Sequence, residues 1–272
     1  SKYFIVKLHI KILEIQMKKI ITLTLLAILA FSTLHANTAM ESIIRKGELV
    51  LGTSGNMTPM TRSINDGKDA VGFDIDLAKT MATTMGVELV VKVIPFDKLL
   101  GELKNGNVDV VISNMTITPK RNAKVAFVGP YLTSGKCLIT KKANLASAEK
   151  EELNSALHKM SVIKGSTSEQ FVKIGMPKVT AISVTTQDEA VELVRTSKVS
   201  AMLTDYPICA SVVSSNPNDS FIPVFSNLSY EPIGIAVAPE NTHMINWIQN
   251  FMNRAEHVGL LKVLGKKWLG TE

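Results

Sequence analysis

The chain has 272 residues, 46% hydrophobic and 20% charged, with 30 basic and 24 acidic side chains and a formal net charge of +6. That excess sits at the front: residues 1–36 hold five lysines and one glutamate, so the rest carries 25 basic and 23 acidic groups, a net of +2. Such a balance gives no electrostatic case for nucleic acid or an anionic membrane surface, and the length suits one large or two small domains.

Residues 1–16 read as an upstream extension with no role in the mature protein, and residues 17–36 as a secretory signal. Met17-Lys18-Lys19 is a short basic stretch, Ile20 to Leu34 is almost unbroken apolar sequence, and Ala36 supplies the small residue at a cleavage site. The apolar run is about 15 residues, short of the roughly 20 that span a bilayer. No cysteine stands directly after the expected cleavage site at Ala36, which argues against a lipid anchor. The expected location is therefore the periplasm.

Beyond the signal, strand and helix patterns alternate. A helix is expected over 40–46, a strand over 48–53, and a loop over 54–60. Asp74 stands ahead of Ile75, Leu77, Ala78, Met81 and Met85, a helical spacing with an N-cap residue in front. Strand 87–93, helix 96–104 and strand 108–112 follow. A second set begins after Leu145: helix 150–157, strand 161–164, strand 179–184, helix 187–196, strand 201–204 and helix 207–214. Strand 235–237 and one or two helices over 244–268 close the chain. This alternation predicts an α/β fold with parallel sheets.

The segment 105–121 concentrates chemistry. A buried strand empties into a turn bearing Ser113, Asn114, Thr116 and Thr118, followed by Arg121. Open α/β sheets build ligand sites at the carboxyl ends of their strands, and a guanidinium suits a carboxylate through paired hydrogen bonds. On its own, Arg121 is equally consistent with capping a strand end. Gly165-Ser-Thr-Ser-Glu-Gln170 has the pattern of a capped helix start, which turns backbone N–H groups toward an anion. Asp205 ends a strand and is either a ligand acceptor or an N-cap ahead of Pro207.

Other features read as structural. Asp74 fits an N-cap and Asp76 a solvated first helical turn. Met57-x-x-Met60 suits pocket lining better than a soft metal. Cys137 and Cys209 either pair or remain two buried thiols, since sequence does not give their separation.

Several segments together resemble a known family. They are Gly72-Phe-Asp-Ile-Asp-Leu-Ala78, the block Gly106–Tyr131 with Thr118-Pro-Lys-Arg121 and Phe127-Val-Gly-Pro-Tyr131, Gly165-Ser-Thr167, Ala201-Met-Leu-Thr-Asp205, and Gly259-Leu-Leu with Trp268-Leu. In this order, from about Leu49 to Leu269, they resemble the periplasmic solute-binding proteins of polar amino-acid ABC importers, the family 3 extracellular solute-binding proteins.

The resemblance implies a two-lobed, type II Venus-flytrap fold with two hinge crossovers, near 132–136 and 230–233. Lobe 1 would comprise 45–132 plus 233–272, and lobe 2 would comprise 137–230. Arg121 would hold a ligand α-carboxylate with the N–H groups of Thr116 and Thr167, and Asp205 would accept the α-ammonium beside oxygens around Ser113 and Asn114. Phe96 would line the side-chain pocket. Ser54 and Met57 stand where relatives for basic amino acids carry an acid and an aromatic, so a neutral amino acid is expected. The implied protein is a monomer without cofactor, metal or nucleic acid, and it hands its ligand to an ABC permease. The same fold also resembles secreted cyclohexadienyl (prephenate/arogenate) dehydratases, in which a glutamate follows the cleft aspartate by three positions. That place is Ile208 here, which cannot transfer a proton, so a binding protein rather than an enzyme is expected.

Overall fold

A computed structural model describes residues 13, 15–20, 39–225 and 229–270; most of the expected extension and signal, from 21 to 36 throughout, lies outside the described residues. Among the described residues no helix is long and apolar enough to cross a membrane. Residues 39–272 form one compact unit holding three sheets.

Helix α1 (Ala39–Lys46) leads into β1 (Glu48–Thr53), then a small meander of β2 (Asn56–Met57), β3 (Thr61–Ile64) and β4 (Asp69–Val71). Helix α2 (Phe73–Met85), β5 (Glu88–Val93), helix α3 (Leu99–Lys104), β6 (Val110–Val111), the short helix α4 (Pro119–Asn122) and β7 (Ala126–Ser134) follow. After Gly135 the chain enters a second sheet as β8 (Lys136–Thr140), continued by β9 (Lys159–Ile163), helix α5 (Thr167–Gln170), β10 (Thr180–Val184), helix α6 (Gln187–Arg195), β11 (Ala201–Asp205), helix α7 (Tyr206–Ser215) and β12 (Ile222–Phe225). Strand β13 (Glu231–Val237) returns to the first sheet, and helices α8 (Thr242–His257) and α9 (Leu260–Leu269) finish the described chain.

The five-stranded sheets run β5-β1-β6-β13-β7 and β10-β9-β11-β8-β12. Each has three parallel strands, then one reversed strand (β13 or β8), then an edge strand (β7 or β12) that again runs with the first three. The expectation of parallel sheets is corrected here: β13 and β8, each the first strand after the chain crosses from the other sheet, run against the rest. Gly129 and Pro130 in β7 and Pro223 in β12 disguise those strands as loops in the sequence, whereas the end of β13 was expected as strand 235–237. Pro is tolerated in β7 and β12 because both lie at sheet edges, where a missing N–H breaks no inner ladder. Helix 150–157 shortens to Lys150–Leu153, with Asn154 Oδ1 accepting the Lys178 N–H at 2.9 Å instead.

Central strands are buried on both faces and accordingly read as apolar runs. Leu49, Leu51, Ile112, Ile235 and Val237 pack with Ile75, Leu77 and Met81 of α2 and Met244 and Ile248 of α8. Met160, Val162 and Leu203 form the core of the second lobe with Val172 and Met176. A third apolar cluster joins Leu99, Val111, Met57 and Phe96 to Ile163 and Ile208, so the two lobes meet face to face. Cys137 of β8 and Cys209 of α7, whose pairing the sequence left open, form a disulfide inside the second lobe.

Helix α2 starts two residues earlier than expected, at Phe73 rather than Ile75. Gly72 makes this possible: its φ is +141°, and a Cβ there would lie 2.2 Å from the Met60 carbonyl oxygen. Asp74 is therefore not an N-cap. It is turned inward and fully buried, its Oδ1 accepting from the Tyr131 hydroxyl at 2.7 Å and its Oδ2 from the Asn114 N–H at 2.7 Å. Asp76 is likewise more than a solvated residue: Lys267 Nζ and Trp268 Nε1 donate to it at 2.6 and 2.7 Å, which ties α9 to α2.

Candidate functional site

The carboxyl ends of β6, β9 and β11 meet at one cleft between the sheets, the place where open α/β sheets leave room for ligands. After β6 the backbone turns through Asn114 in a left-handed conformation, φ +48°. The Asp74 carboxyl holds that turn through its bond to the Asn114 N–H. Burial raises the Asp74 carboxyl from the ordinary 3.8 to about 7, although both hydrogen bonds pull the other way. Thr118 then caps α4, its Oγ1 accepting the Arg121 N–H at 3.2 Å with Pro119 at the first helical position.

This places the Arg121 guanidinium at the mouth of the cleft. Nη1 donates to the Thr116 carbonyl at 2.7 Å and Nη2 to the Gly165 carbonyl of the other lobe at 3.0 Å, and the group lies 5.5 Å from the centre of the Phe96 ring. Desolvation lowers its pKa to about 10, with Asp205 and Glu231 opposing, so it stays a cation at neutral pH. Both side-chain partners are main-chain dipoles rather than carboxylates.

The second lobe supplies the facing wall. Ser166 Oγ caps α5 by accepting the Glu169 N–H at 3.1 Å, and Glu169 Oε2 accepts the Gly165 N–H at 2.7 Å. Thr167 opens the helix, where backbone N–H groups lack partners in their own helix. Gly165 has φ +78°, and a Cβ there would sit 2.9 Å from the Asp97 Cβ of the first lobe. The rim pair Lys164–Asp97, at 3.0 Å, also crosses the cleft.

Asp205 occupies the N-cap position of α7 but makes no capping bond. Its Oδ2 accepts from Asn114 Nδ2 at 2.7 Å, across the lobes, and its Oδ1 from Lys136 Nζ at 2.6 Å. The Lys136 side chain is fully enclosed. It also donates to Thr167 Oγ1 at 2.7 Å and lies 3.3 Å from Glu231 Oε1, while Thr167 Oγ1 donates to Glu231 Oε2 at 2.9 Å. Burial alone would raise the Glu231 carboxyl, but Lys136 with the hydroxyls of Thr167, Thr116 and Ser229 holds it below its ordinary value.

The cavity in the cleft is small, about 20 Å³, walled by Met57, Phe96, Asn114, Thr116 and Arg121 on one side and by Ile163, Ser166, Thr167, Ser168, Leu203, Thr204, Asp205 and Ile208 on the other. Of the residues singled out from sequence, Met57, Phe96, Asn114, Thr116, Arg121, Thr167 and Asp205 come together here. Ser54 and Ser113 do not line this wall. They lie buried behind it, the Ser54 N–H donating to Ser113 Oγ at 2.9 Å and Ser113 Oγ to Ser54 Oγ at 3.0 Å. Met60, expected beside the pocket, belongs to the first lobe's core. Lys136 and Glu231 were not singled out by sequence. The available signal was a charge at the first position of an otherwise apolar strand, in Lys136-Cys-Leu-Ile-Thr and Glu231-Pro-Ile-Gly-Ile, but nothing local shows that the two meet. A larger hollow, about 780 Å³, is bordered by Ser134, Gly135, Tyr206 and Trp268, and none of its lining residues is charged.

Buried Asn114 Oδ1 has no hydrogen-bond partner among the described residues, although it adjoins the Asp205 carboxylate. A buried oxygen left bare in this way is costly, and it lies where a donor arriving from the cleft would satisfy it.

Comparison with known proteins follows the same lines. The L-cystine-binding protein TcyJ of Escherichia coli strain K12 is 26% identical over 237 residues, covering 86% of each chain. The cyclohexadienyl dehydratase of Pseudomonas aeruginosa is 26% identical over 259 residues, covering 91% of this chain and 92% of its own. The solved structure of an ancestral arginine-binding protein bound to glutamine superposes with a TM-score of 0.76 at 34% identity, covering 83% of this chain and 99% of that one. The similar proteins are mostly binding proteins, with this one enzyme among them. The model of the bacterial extracellular solute-binding proteins, family 3, matches residues 49–271, and with its two-lobed type II periplasmic-binding-protein fold the chain belongs to that family.

Proposed function

We propose that the protein captures a neutral amino acid in the cleft between its lobes and delivers it to an ABC importer in the membrane. One observation carries this reading: Arg121 from the first lobe and Asp205 from the second face one cleft, and among the described residues Arg121 has no carboxylate bonded to it while Asn114 Oδ1, beside Asp205, has no donor. An α-carboxylate on Arg121, with the Thr116 and Thr167 N–H groups nearby, and an α-ammonium on Asp205 Oδ2 and Asn114 Oδ1 complete both groups. A zwitterion then bonds to both lobes, so binding favours the closed arrangement through hinge movement at the two crossovers, near Gly135 and near Glu231. The lobes would divide the chain as 45–132 with 233–272, and 137–230. Met57, Phe96, Ile163 and Ile208 offer the ligand side chain an uncharged surface. Similar structures hold glutamine in one case and arginine or lysine in others, so the choice of a neutral ligand rests on this uncharged lining. The family's extracellular character and the signal-like segment support a periplasmic location, with the protein acting as a monomer that does not bind nucleic acid.

The relative that is a dehydratase makes catalysis the second reading. It is disfavoured because Asp205, the carboxylate on the cleft wall, is engaged by Lys136 and Asn114, and because Ile208 is apolar. Calorimetric titration of refolded protein with the common amino acids tests the proposal, refolding serving to remove any co-purified ligand. Saturable binding of a neutral amino acid is expected. Binding of simple carboxylic acids with no α-amino acid bound would remove the Asp205 assignment, and turnover of prephenate or arogenate would establish the enzyme.

A further inference from the structure

We propose that Lys136 sets the charge the cleft accepts in its ligand, and that by engaging both Asp205 and Glu231 it excludes amino acids with cationic side chains. This rests on the reading of the cleft as an amino-acid site. The region holds two cations, Arg121 and Lys136, and two carboxylates, Asp205 and Glu231, while the rim pair Lys164–Asp97 cancels itself. Lys136 Nζ has three acceptors for its three protons, Thr167 Oγ1, Asp205 Oδ1 and Glu231 Oε1, and its side chain is fully enclosed. It therefore touches no ligand and acts through Asp205 as a positioning residue.

A zwitterion adds no net charge to this balanced set: its carboxylate meets Arg121 and its ammonium the one oxygen of Asp205 that faces Asn114. A side-chain guanidinium or ammonium would add a third cation where both carboxylates are already engaged by Lys136. The nearby apolar wall of Met57, Phe96, Ile163 and Ile208 offers it no counter-charge, and a desolvated charge without a partner is strongly disfavoured. With Lys136 removed, Asp205 Oδ1 and Glu231 would both be free and the cleft would carry an excess negative charge. The lysine is thus the element that keeps an acidic hinge region from selecting cations.

The test is calorimetric titration of the whole protein with alanine, methionine and glutamine as neutral probes and arginine and lysine as cationic ones. The native protein is expected to prefer a neutral probe. Lys136→Met should move the ratio of arginine to neutral affinity toward arginine by about tenfold or more, the scale on which a close charge pair discriminates between partners. The double variant Lys136→Met with Glu231→Gln restores the balance and should return the ratio toward the native one. If Lys136→Met does not fold, Glu231→Gln alone carries the test, since its excess positive charge should lower the arginine ratio further. A purely structural lysine would weaken all ligands alike, so a ratio unchanged across the folded variants overturns the inference, as does a native preference for arginine. If the native protein binds no α-amino acid at all, the amino-acid reading itself fails. If it binds a neutral one while the ratios stay fixed, only the role of Lys136 fails.

Discussion

The two halves of the cleft are built on different principles. The first lobe presents a cation bonded only to main-chain carbonyls, on a turn stiffened by the buried Asp74–Tyr131 pair. The second presents an anion whose charge is already shared with Lys136, in a network that reaches Glu231 at the crossover. A ligand carboxylate would meet a guanidinium bonded to main-chain carbonyls rather than to a carboxylate, whereas a ligand ammonium would meet a carboxylate already partly satisfied. The carboxylate end should therefore supply more of the binding energy than the ammonium end.

The largest effect expected from breaking this asymmetry is at Arg121. Arg121→Ala should cost about 3–5 kcal/mol of ligand affinity, the scale of losing one partner from a desolvated charge pair, and calorimetry should show no detectable binding of an α-amino acid. Asp205→Asn should cost less, about 1.5–3 kcal/mol for one charge-assisted hydrogen bond, because Asn114 Oδ1 remains to accept the ammonium. The same variant should lower the thermal midpoint, since it strips Lys136 of one of its two carboxylates. Equal losses at Arg121 and Asp205 would refute the asymmetry.

Asp74 sharpens the comparison from the stability side. Its pKa is raised on folding, so the native state holds a proton that the unfolded chain has released above about 4. Stability from this group is then fully present below about 4 and is lost as pH rises through about 7. Urea unfolding should show the native protein losing on the order of a few kcal/mol over that window relative to Asp74→Asn, in which the slope disappears. The smallest effect is expected at Gly165. Gly165→Ala strains a left-handed backbone and places a methyl against Asp97 only when the lobes are closed. It should weaken binding by about 1–2 kcal/mol while the unliganded protein, free to open, loses less stability than that.

Much of this was legible in the chain itself. Alternating strand and helix patterns located most of the elements, because a central parallel strand buried on two faces must be apolar along its length and an amphipathic helix must repeat its apolar face. Thr118-Pro-Lys-Arg121 carried its own cap and its own cation, so Arg121 could be singled out locally. The edge strands β7 and β12 escaped notice because glycine and proline announce turns in isolation, whereas an edge strand tolerates them. Asp74 was misplaced by two positions, since only the close approach of Gly72 to Met60 shows where the helix begins.

The family and its two-lobed fold came from the resemblance that the ordered segments bear to known proteins; by itself the sequence determined the alternation of elements, the motif around Arg121 and the strand ending in Asp205. These depend on periodicity and on groups within a few residues of one another. Only the tertiary structure decided that Cys137 meets Cys209, that Ser54 and Ser113 bond to each other behind the cleft wall, and that Lys136 lies between Asp205 and Glu231. Those partners are separated by 59 to 95 positions. Their meeting depends on how strands from both lobes converge at one crossover, which no local pattern of residues encodes.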